Sequence, residues 1–179
     1  MELSGLIPAG QYTTHDVLQV MKQYAQQDST SDVVKQVAFV ISGGVHPTDI
    51  LSIAVSTRNW ILTNMVYVKD HVEANRLFGF QEPDLEMVKS PKVVLESRRY
   101  DCDCAATLIA SIMLALGIPV RFMAVAFHDH QITGPDAYSH VFAQVYDSLR
   151  GVWITIDPVS YPEESEMLNK VKQHLVVNI

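Results

Sequence analysis

Residues 100–122 read Tyr-Asp-Cys-Asp-Cys-Ala-Ala-Thr-Leu-Ile-Ala-Ser-Ile-Met-Leu-Ala-Leu-Gly-Ile-Pro-Val-Arg-Phe, and the rest of the chain is organised around this stretch. Its apolar side chains recur at the three- and four-residue spacing of a buried helix face. They are Ala105, Leu108, Ile109, Ile112, Met113 and Leu116. Gly117 and Pro119 then supply a usual stop for a helix. The stretch therefore predicts a buried helix with Cys102 and Cys104, the two cysteines of the chain, near its N-terminus.

A cysteine at the start of a helix is well placed for nucleophilic chemistry. The positive end of the helix dipole favours the thiolate, and the N–H groups of the first turn can receive the oxyanion of a tetrahedral intermediate. Such a nucleophile also needs a base and a group that orients the base. His140, in a strand-like segment at 139–146, and Asp157, at the end of a second one at 152–157, supply both. We therefore expect Cys102, His140 and Asp157 to form a catalytic triad.

The strand sequences predict how His140 and Asp157 meet. If the two strands form a hairpin with a loop at 146–151, and His140 faces Asp157, one face carries only apolar pairs. These pairs are Val141–Ile156, Ala143–Ile154 and Val145–Val152. We expect Asp157 to hydrogen-bond the Nδ1 atom of His140 at roughly 2.6–3.2 Å. The other ring nitrogen is then expected within about 4 Å of the Cys102 sulfur.

The same residues resemble a known family. Cys102 followed by Ala106, the Leu-Gly-Ile-Pro segment at 116–119, the His-Val strand, and Trp-x-x-x-Asp-Pro at 153–158 are similar to the transglutaminase-like superfamily, which is related to papain. The pattern is most similar to the short form found in phage, prophage and bacterial genomes, whose cysteine segment often reads Gly-Asp-Cys-Asp-Asp. Further segments with this resemblance lie upstream: Arg58-Asn59-Trp60, Tyr67-Val68-Lys69-Asp70, Asp84-Leu85 and Pro91-Lys92.

Two residues depart from the pattern of that family. Tyr100 stands where the family usually has glycine, and Cys104 replaces its second aspartate. Neither position belongs to the triad that the resemblance implies, so the site is retained, but the entrance to its pocket is expected to be unusual. The residues that we expect to line the substrate pocket are Tyr100, Asp103, His128 and His130.

The resemblance implies an α+β fold with a papain-like core. A central helix that carries the cysteine would pack on an antiparallel sheet, beside an N-terminal helical layer. We expect one domain over residues 1–179, with N-terminal helices at about 14–70, a catalytic core at about 85–160 and a C-terminal helix at 161–179. Residues 70–99, with two prolines and scattered charges, read as rich in loops.

The function that the resemblance implies is thiol-dependent acyl transfer without a cofactor. The protein would be a cysteine protease or amidase, or a transglutaminase, acting on peptide or carboxamide substrates through Cys102, His140 and Asp157. The alternative is not enzymatic. In that reading the chain is a phage-type structural or assembly protein of a virion, with a vestigial site and with other virion proteins as partners.

Composition excludes several other classes of function. Thirteen basic and twenty acidic residues give a net charge of −7, which argues against nonspecific binding to nucleic acid or to anionic membranes. The N-terminal residues lack the pattern of a signal peptide, and the longest apolar run is too short for a membrane span. Two cysteines one residue apart favour a reducing compartment. We therefore expect a cytoplasmic protein, in the host cytoplasm or the virion if a phage encodes it.

A metal site is the remaining alternative near the cysteines. Cys102, Cys104, His128, His130 and His140 are residue types that can ligate zinc. Their spacing lacks the two-residue gaps that are usual in closed zinc sites. We therefore expect no bound metal.

Overall fold

A computed structural model describes residues 6–7, 13–79, 86–127, 138–159 and 169–179 of the chain. Its helices are α1 (Thr14–Asp28), α2 (Asp32–Ser42), α3 (Ile50–Asn64), α4 (Asp70–Phe78), α5 (Pro91–Ser97) and α6 (Cys102–Ala115). Its strands are β1 (Leu6–Ile7), β2 (Val66–Tyr67), β3 (Glu86–Met87), β4 (Arg99–Tyr100), β5 (Val120–Ala126), β6 (His140–Asp147), β7 (Val152–Ile156) and β8 (Gln173–Asn178).

Both ends of α6 are fixed by hydrogen bonds that the sequence encodes. The Asp101 carboxylate caps the helix by accepting from the Cys104 N–H at 3.3 Å. At the other end Gly117 has φ of 72°, a left-handed conformation that costs glycine little. There the Ile118 N–H donates to the carbonyl of Met113 at 2.9 Å, as in a Schellman motif. The predicted helix between the cysteines and Gly117 is confirmed.

The helix α6 is buried between a sheet and a helical layer. A four-stranded antiparallel sheet has the order β7-β6-β5-β8, and α6 packs on its two central strands. The helices α1 and α2 pack against α6, and α3 packs against β6 and β7. The expected α+β fold, with a cysteine-bearing helix on an antiparallel sheet, is thus confirmed. Among the described residues, no helix is long and apolar enough to cross a membrane.

The predicted register of the β6–β7 hairpin is wrong by two residues. Ala143 pairs with Ile156 and Val145 pairs with Ile154, where the apolar pattern placed Val141 opposite Ile156. A shift of two residues leaves every side chain on its original face, because side chains alternate with a period of two. The predicted apolar face is therefore present, although the residues that pair across the two strands differ from the predicted pairs.

The turn of this hairpin explains the shift. Strand β6 runs to Asp147, whose carboxylate accepts from the backbone N–H groups of Leu149 and Arg150 at 3.0 and 3.2 Å. Gly151 completes the turn with φ of 69°, and its N–H donates to the carbonyl of Asp147 at 2.8 Å. An aspartate and a glycine at these positions are typical of a short turn. They close the hairpin with fewer loop residues than the expected loop at 146–151.

Two expectations for less regular segments are also corrected. Residues 173–178, expected in a C-terminal helix, form strand β8 beside β5, because that position satisfies the free edge of β5 and buries Val177. The segment 161–168 lies outside the described residues. Within 70–99, α4 and α5 are helices. With nine and seven residues they span about two turns each, too few to establish a helical period in the sequence.

A short parallel pairing leads the chain into the start of α6. Strands β2 and β4 pair so that Tyr67 lies beside Tyr100. The Val68 N–H donates to the carbonyl of Tyr100 at 2.8 Å. This pairing fixes the backbone immediately before Asp101, and so it sets the position of the first turn of α6.

Candidate active site

Cys102 is the first residue of α6, as the sequence predicts. Its side chain is partly exposed, whereas that of Cys104 is fully buried. The fourteen-residue helix directs the positive end of its dipole toward Cys102. A partly exposed thiol in this position can both ionise and meet a substrate.

His140 and Asp157 meet at the end of the β6–β7 hairpin. The Nε2 atom of His140 lies 2.6 Å from Oδ2 of Asp157. The two side chains are 7% and 11% exposed, so water screens the pair only weakly. The ring of His140 stacks on Phe127, with centroids 6.2 Å apart. The expected contact is present, but it uses Nε2 instead of Nδ1.

Asp157 is held from three directions. Its Oδ2 atom contacts His140, and its Oδ1 atom accepts from the backbone N–H of Val159 at 2.9 Å. Its carbonyl oxygen accepts from Nε of Arg58, in α3, at 2.9 Å. Arg58 belongs to one of the upstream segments that resemble the family, but no local pattern predicts a role for it.

Two tyrosines connect the region of Cys102 with that of Asp157. The rings of Tyr67 and Tyr100 meet edge to face with centroids 5.8 Å apart. Burial, followed by the negative charge of Cys102, raises the pKa of Tyr67 to about 12. Burial, followed by the charge of Asp157, raises the pKa of Tyr100. Among the charges that influence these two paired rings are Cys102 for Tyr67 and Asp157 for Tyr100.

The sulfur of Cys102 and the ring of His140 belong to elements in direct contact, because α6 packs against β6. The distance between the sulfur and the ring, expected within about 4 Å, stays a prediction. Cys102 thus lies at the start of α6, and His140, in contact with Asp157, lies at the start of β6.

A cluster of buried carboxyl groups lies on the inner side of the first turn of α6. Burial disfavours ionisation of Asp101, but hydrogen bonds with Asp103, Asp70 and Cys104 outweigh it and lower the pKa of Asp101. The buried Lys89 adds a positive charge that favours ionised Asp101.

The thiol of Cys104 belongs to this cluster and not to the reactive end of the helix. Its sulfur lies 3.7 Å from the carbonyl oxygen of Met87 and 3.8 Å from Oδ2 of Asp103. Burial, with the charges of Asp101 and Asp103, raises the pKa of Cys104 well above its usual value. Such a thiol is expected to be inert.

Among the described residues, Asp101, Asp103 and Cys104 form a group of possible metal ligands. Their ligand atoms lie within 4.8 Å of one another. Of the residues named for the zinc alternative, this group includes Cys104 but not Cys102 or His140, and His128 and His130 lie outside the described residues. Lys89 already brings a positive charge to these groups.

The four expected pocket residues have different environments. Tyr100 and Asp103 are only 2% and 1% exposed, so their side chains contact protein and not an open pocket. Tyr100 contributes through its contact with Tyr67, and Asp103 through the carboxyl cluster. His128 and His130 lie outside the described residues. Tyr67, which contacts Tyr100, is by contrast accessible, at 43% exposed. Its place in a Tyr-Val-Lys-Asp segment was the signal that could have identified it.

Comparison with protein families gives one match. A family model described as the transglutaminase-like superfamily matches residues 35–158. The match includes Cys102, His140 and Asp157, and it extends upstream through α3. Comparison with curated protein sequences gives no match.

Solved structures with the same fold include two bacterial proteins. A candidate cysteine protease from Cytophaga hutchinsonii is 19% identical, with a TM-score of 0.53, and the alignment covers 88% of this chain and 50% of that one. A candidate protease from Parabacteroides distasonis is 16% identical, with a TM-score of 0.51, and the alignment covers 83% and 32%. The chain thus corresponds to half or less of these longer proteins. At such identities the likeness shows the fold.

Proposed function

The chain belongs to the transglutaminase-like superfamily, and we propose that it is a thiol-dependent enzyme that transfers acyl groups from peptide or carboxamide substrates. Cys102 is the nucleophile, His140 is the base and acid, and Asp157 orients His140. The observation that carries the proposal is the 2.6 Å contact between His140 and Asp157, beside a helix that begins at Cys102. An imidazole held by a buried carboxylate, near a thiol at a helix N-terminus, is the arrangement that nucleophilic catalysis requires.

The first half of the reaction forms a thioester. The Nδ1 atom of His140 takes the proton of the Cys102 thiol, and the thiolate attacks the carbonyl carbon of the substrate. A carbon–sulfur bond forms, and the electron pair of the carbonyl moves onto its oxygen. The positive end of α6 stabilises that oxyanion. When the intermediate collapses, the carbon–nitrogen bond breaks, and the imidazolium of His140 donates its proton to the leaving amine.

The second half of the reaction releases the acyl group. Water, or a primary amine, gives a proton to His140 and attacks the thioester carbon. The carbon–sulfur bond then breaks and the Cys102 thiolate recovers the proton. Water produces a carboxylic acid, which is protease or amidase activity, whereas an amine produces a new amide, which is transglutaminase activity. Asp157 stabilises the imidazolium in both halves because its carboxylate stays in contact with Nε2.

The reactivity of the cysteines tests the proposal without knowledge of the substrate. Folded protein is treated with iodoacetamide at about pH 6 and about pH 8, and the modified peptides are quantified by mass spectrometry. Cys104 is a matched internal control, because it lies in the same helix turn but is buried. We expect Cys102 to be alkylated faster than free cysteine at the lower pH, and Cys104 to remain unmodified. Alkylation of Cys102 at the rate of free cysteine would overturn the proposal.

Turnover separates the enzyme from the virion alternative, which the comparisons do not favour. The protein is incubated with a mixture of peptide amides, with and without a fluorescent primary amine. Released ammonia or new peptide termini indicate hydrolysis, and incorporated amine indicates transfer. A reactive Cys102 together with substrate turnover supports the enzyme. An unreactive Cys102 and no turnover would support a structural protein with a vestigial site.

A further inference from the structure

Asp157 lies beyond the regular part of the sheet. The β6–β7 ladder ends at the pair of Ala143 with Ile156, and the residue that follows Asp157 is Pro158, which has no N–H to donate. A residue before proline is restricted to extended conformations, but this restriction does not fix its position relative to another strand. The carboxylate that contacts His140 is thus carried by a backbone that the sheet itself does not hold.

Arg58 holds this backbone from the helical layer. It lies in the middle of α3, is partly buried, and donates from Nε to the carbonyl oxygen of Asp157 at 2.9 Å. A hydrogen bond from a guanidinium is charge-assisted and stronger than one between neutral groups. The charge of Arg58 also opposes that of Asp157 in its effect on the pKa of the buried Tyr100. Arg58 and Asp157 are thus joined between α3 and the end of β7, close enough to the buried Tyr100 for both charges to act on its pKa.

We propose that Arg58 is a positioning residue for the triad: by fixing the carbonyl of Asp157 it keeps the carboxylate in contact with His140. The inference rests on the proposed function, and it adds a residue for which that function had no role. Arg58 does not touch the reacting atoms, so its effect passes through Asp157. A displacement of about 1 Å in a catalytic group can reduce a rate by about a hundredfold, so a support that holds the backbone of Asp157 has large consequences for reactivity.

The chain offers a matched control. Arg98 also packs against α3, where its guanidinium lies 5.7 Å from the centre of the Trp60 ring. It neighbours the same helix without donating to Asp157. Substitution of either arginine by glutamine removes one positive charge and keeps most of the side-chain length. The substitution Arg58→Lys keeps the positive charge and can still donate a hydrogen bond, but it cannot reproduce the planar geometry of the guanidinium.

The first measurement is the rate of Cys102 alkylation as a function of pH. We expect Arg58→Gln to lower the rate near pH 6 by about tenfold to a hundredfold, Arg58→Lys to cause a smaller loss, and Arg98→Gln to leave the profile unchanged. In an Asp157→Ala background the effect of Arg58→Gln should fall below about twofold, because both changes remove the same interaction. An equal effect in both backgrounds would overturn the inference.

The second measurement does not depend on catalysis. The ring N–H of His140 that faces a buried carboxylate should give a downfield proton resonance, which Asp157→Ala would remove and thereby assign. We expect this resonance to be lost or broadened in Arg58→Gln and kept in Arg98→Gln. If Arg58→Gln does not fold, the same comparison is made with Arg58→Lys, in which the resonance should shift.

The two measurements distinguish the possible failures. If Cys102 of the unmodified protein reacts like free cysteine but the resonance depends on Arg58, the proposed function is overturned while the hold of Arg58 on Asp157 is supported. If both the resonance and the pH profile survive in Arg58→Gln or Arg58→Lys, the positioning role is overturned and the proposed function stands.

Discussion

The Nε2 atom of His140 lies 2.6 Å from Oδ2 of Asp157, although the two residues are not opposite each other in the sheet. In the observed register, in which Ala143 pairs with Ile156, they are diagonal neighbours on one face. Diagonal positions are about 7–8 Å apart at the backbone, a distance that an imidazole and a carboxylate can bridge. Because this contact uses Nε2, the base in the proposed reaction is the other ring nitrogen, Nδ1.

The first prediction concerns the two cysteines. Cys102→Ala should abolish hydrolysis or transfer without unfolding the protein, because the side chain is partly exposed at the start of α6. Cys104→Ala should keep the activity but lower the free energy of unfolding by about 1 kcal/mol, since it removes a buried sulfur. Activity assays and urea unfolding of both variants provide the check. An active Cys102 variant together with an inactive Cys104 variant would indicate that Cys104, and not Cys102, is the nucleophile.

The second prediction is geometric. In a crystal structure with a thiol-directed inhibitor bound, the Cys102 sulfur should lie within about 4 Å of Nδ1 of His140. The basis is that α6 packs on β6 and that Nε2 is engaged by Asp157. The inhibitor should be bonded to Cys102. A sulfur far from the imidazole, or an inhibitor bonded to Cys104, would contradict the proposed triad.

The third prediction concerns Glu73, a buried residue of α4. Hydrogen bonds with Arg76 and Arg99 and the charge of Lys89 outweigh burial and lower the pKa of Glu73 from 4.5 to about 2. A lowered pKa in the folded state stabilises the protein above the unfolded value of 4.5, and this stabilisation is lost as the pH falls toward 2. The shift corresponds to about 3 kcal/mol at neutral pH.

Glu73→Gln should therefore lower the free energy of unfolding by about 3 kcal/mol near pH 7, and by less than half of that near pH 3. Urea unfolding at both pH values measures this difference. Glu96→Gln, on an exposed position of α5, serves as the control and should change the stability little. A loss in Glu73→Gln that is the same at both pH values would show that packing, and not ionisation, dominates.

The fourth prediction concerns metal. Purified protein should contain no stoichiometric zinc, and a chelator should not change its unfolding curve. The physical reason is that the spacing of the cysteines and histidines lacks the two-residue gaps of closed zinc sites, while Lys89 already offsets part of the negative charge near Asp101 and Cys104. Elemental analysis and unfolding with and without chelator decide the question. One zinc per chain, with loss of the fold in chelator, would instead indicate a structural metal site.

The sequence by itself determined the elements that local patterns encode. The apolar spacing after Cys104 and the stop at Gly117 define α6, because helix periodicity and the left-handed conformation of glycine are local properties. The apolar residues that alternate along β6 and β7 placed His140 and Asp157 together on the opposite face, and the observed shift of two residues keeps them there. The order of cysteine, histidine and aspartate then gave the family and the candidate triad.

Tertiary structure alone decided the features that join distant parts of the chain. The free edge of β5 made residues 173–178 a strand. The bond from Arg58 to Asp157 spans 99 residues, and the aromatic contact of Tyr67 with Tyr100 depends on the parallel pairing of β2 with β4. Such contacts depend on which surfaces of the helices and strands pack against each other. A local sequence pattern does not predict that packing, because the surface of each element is compatible with many packing partners.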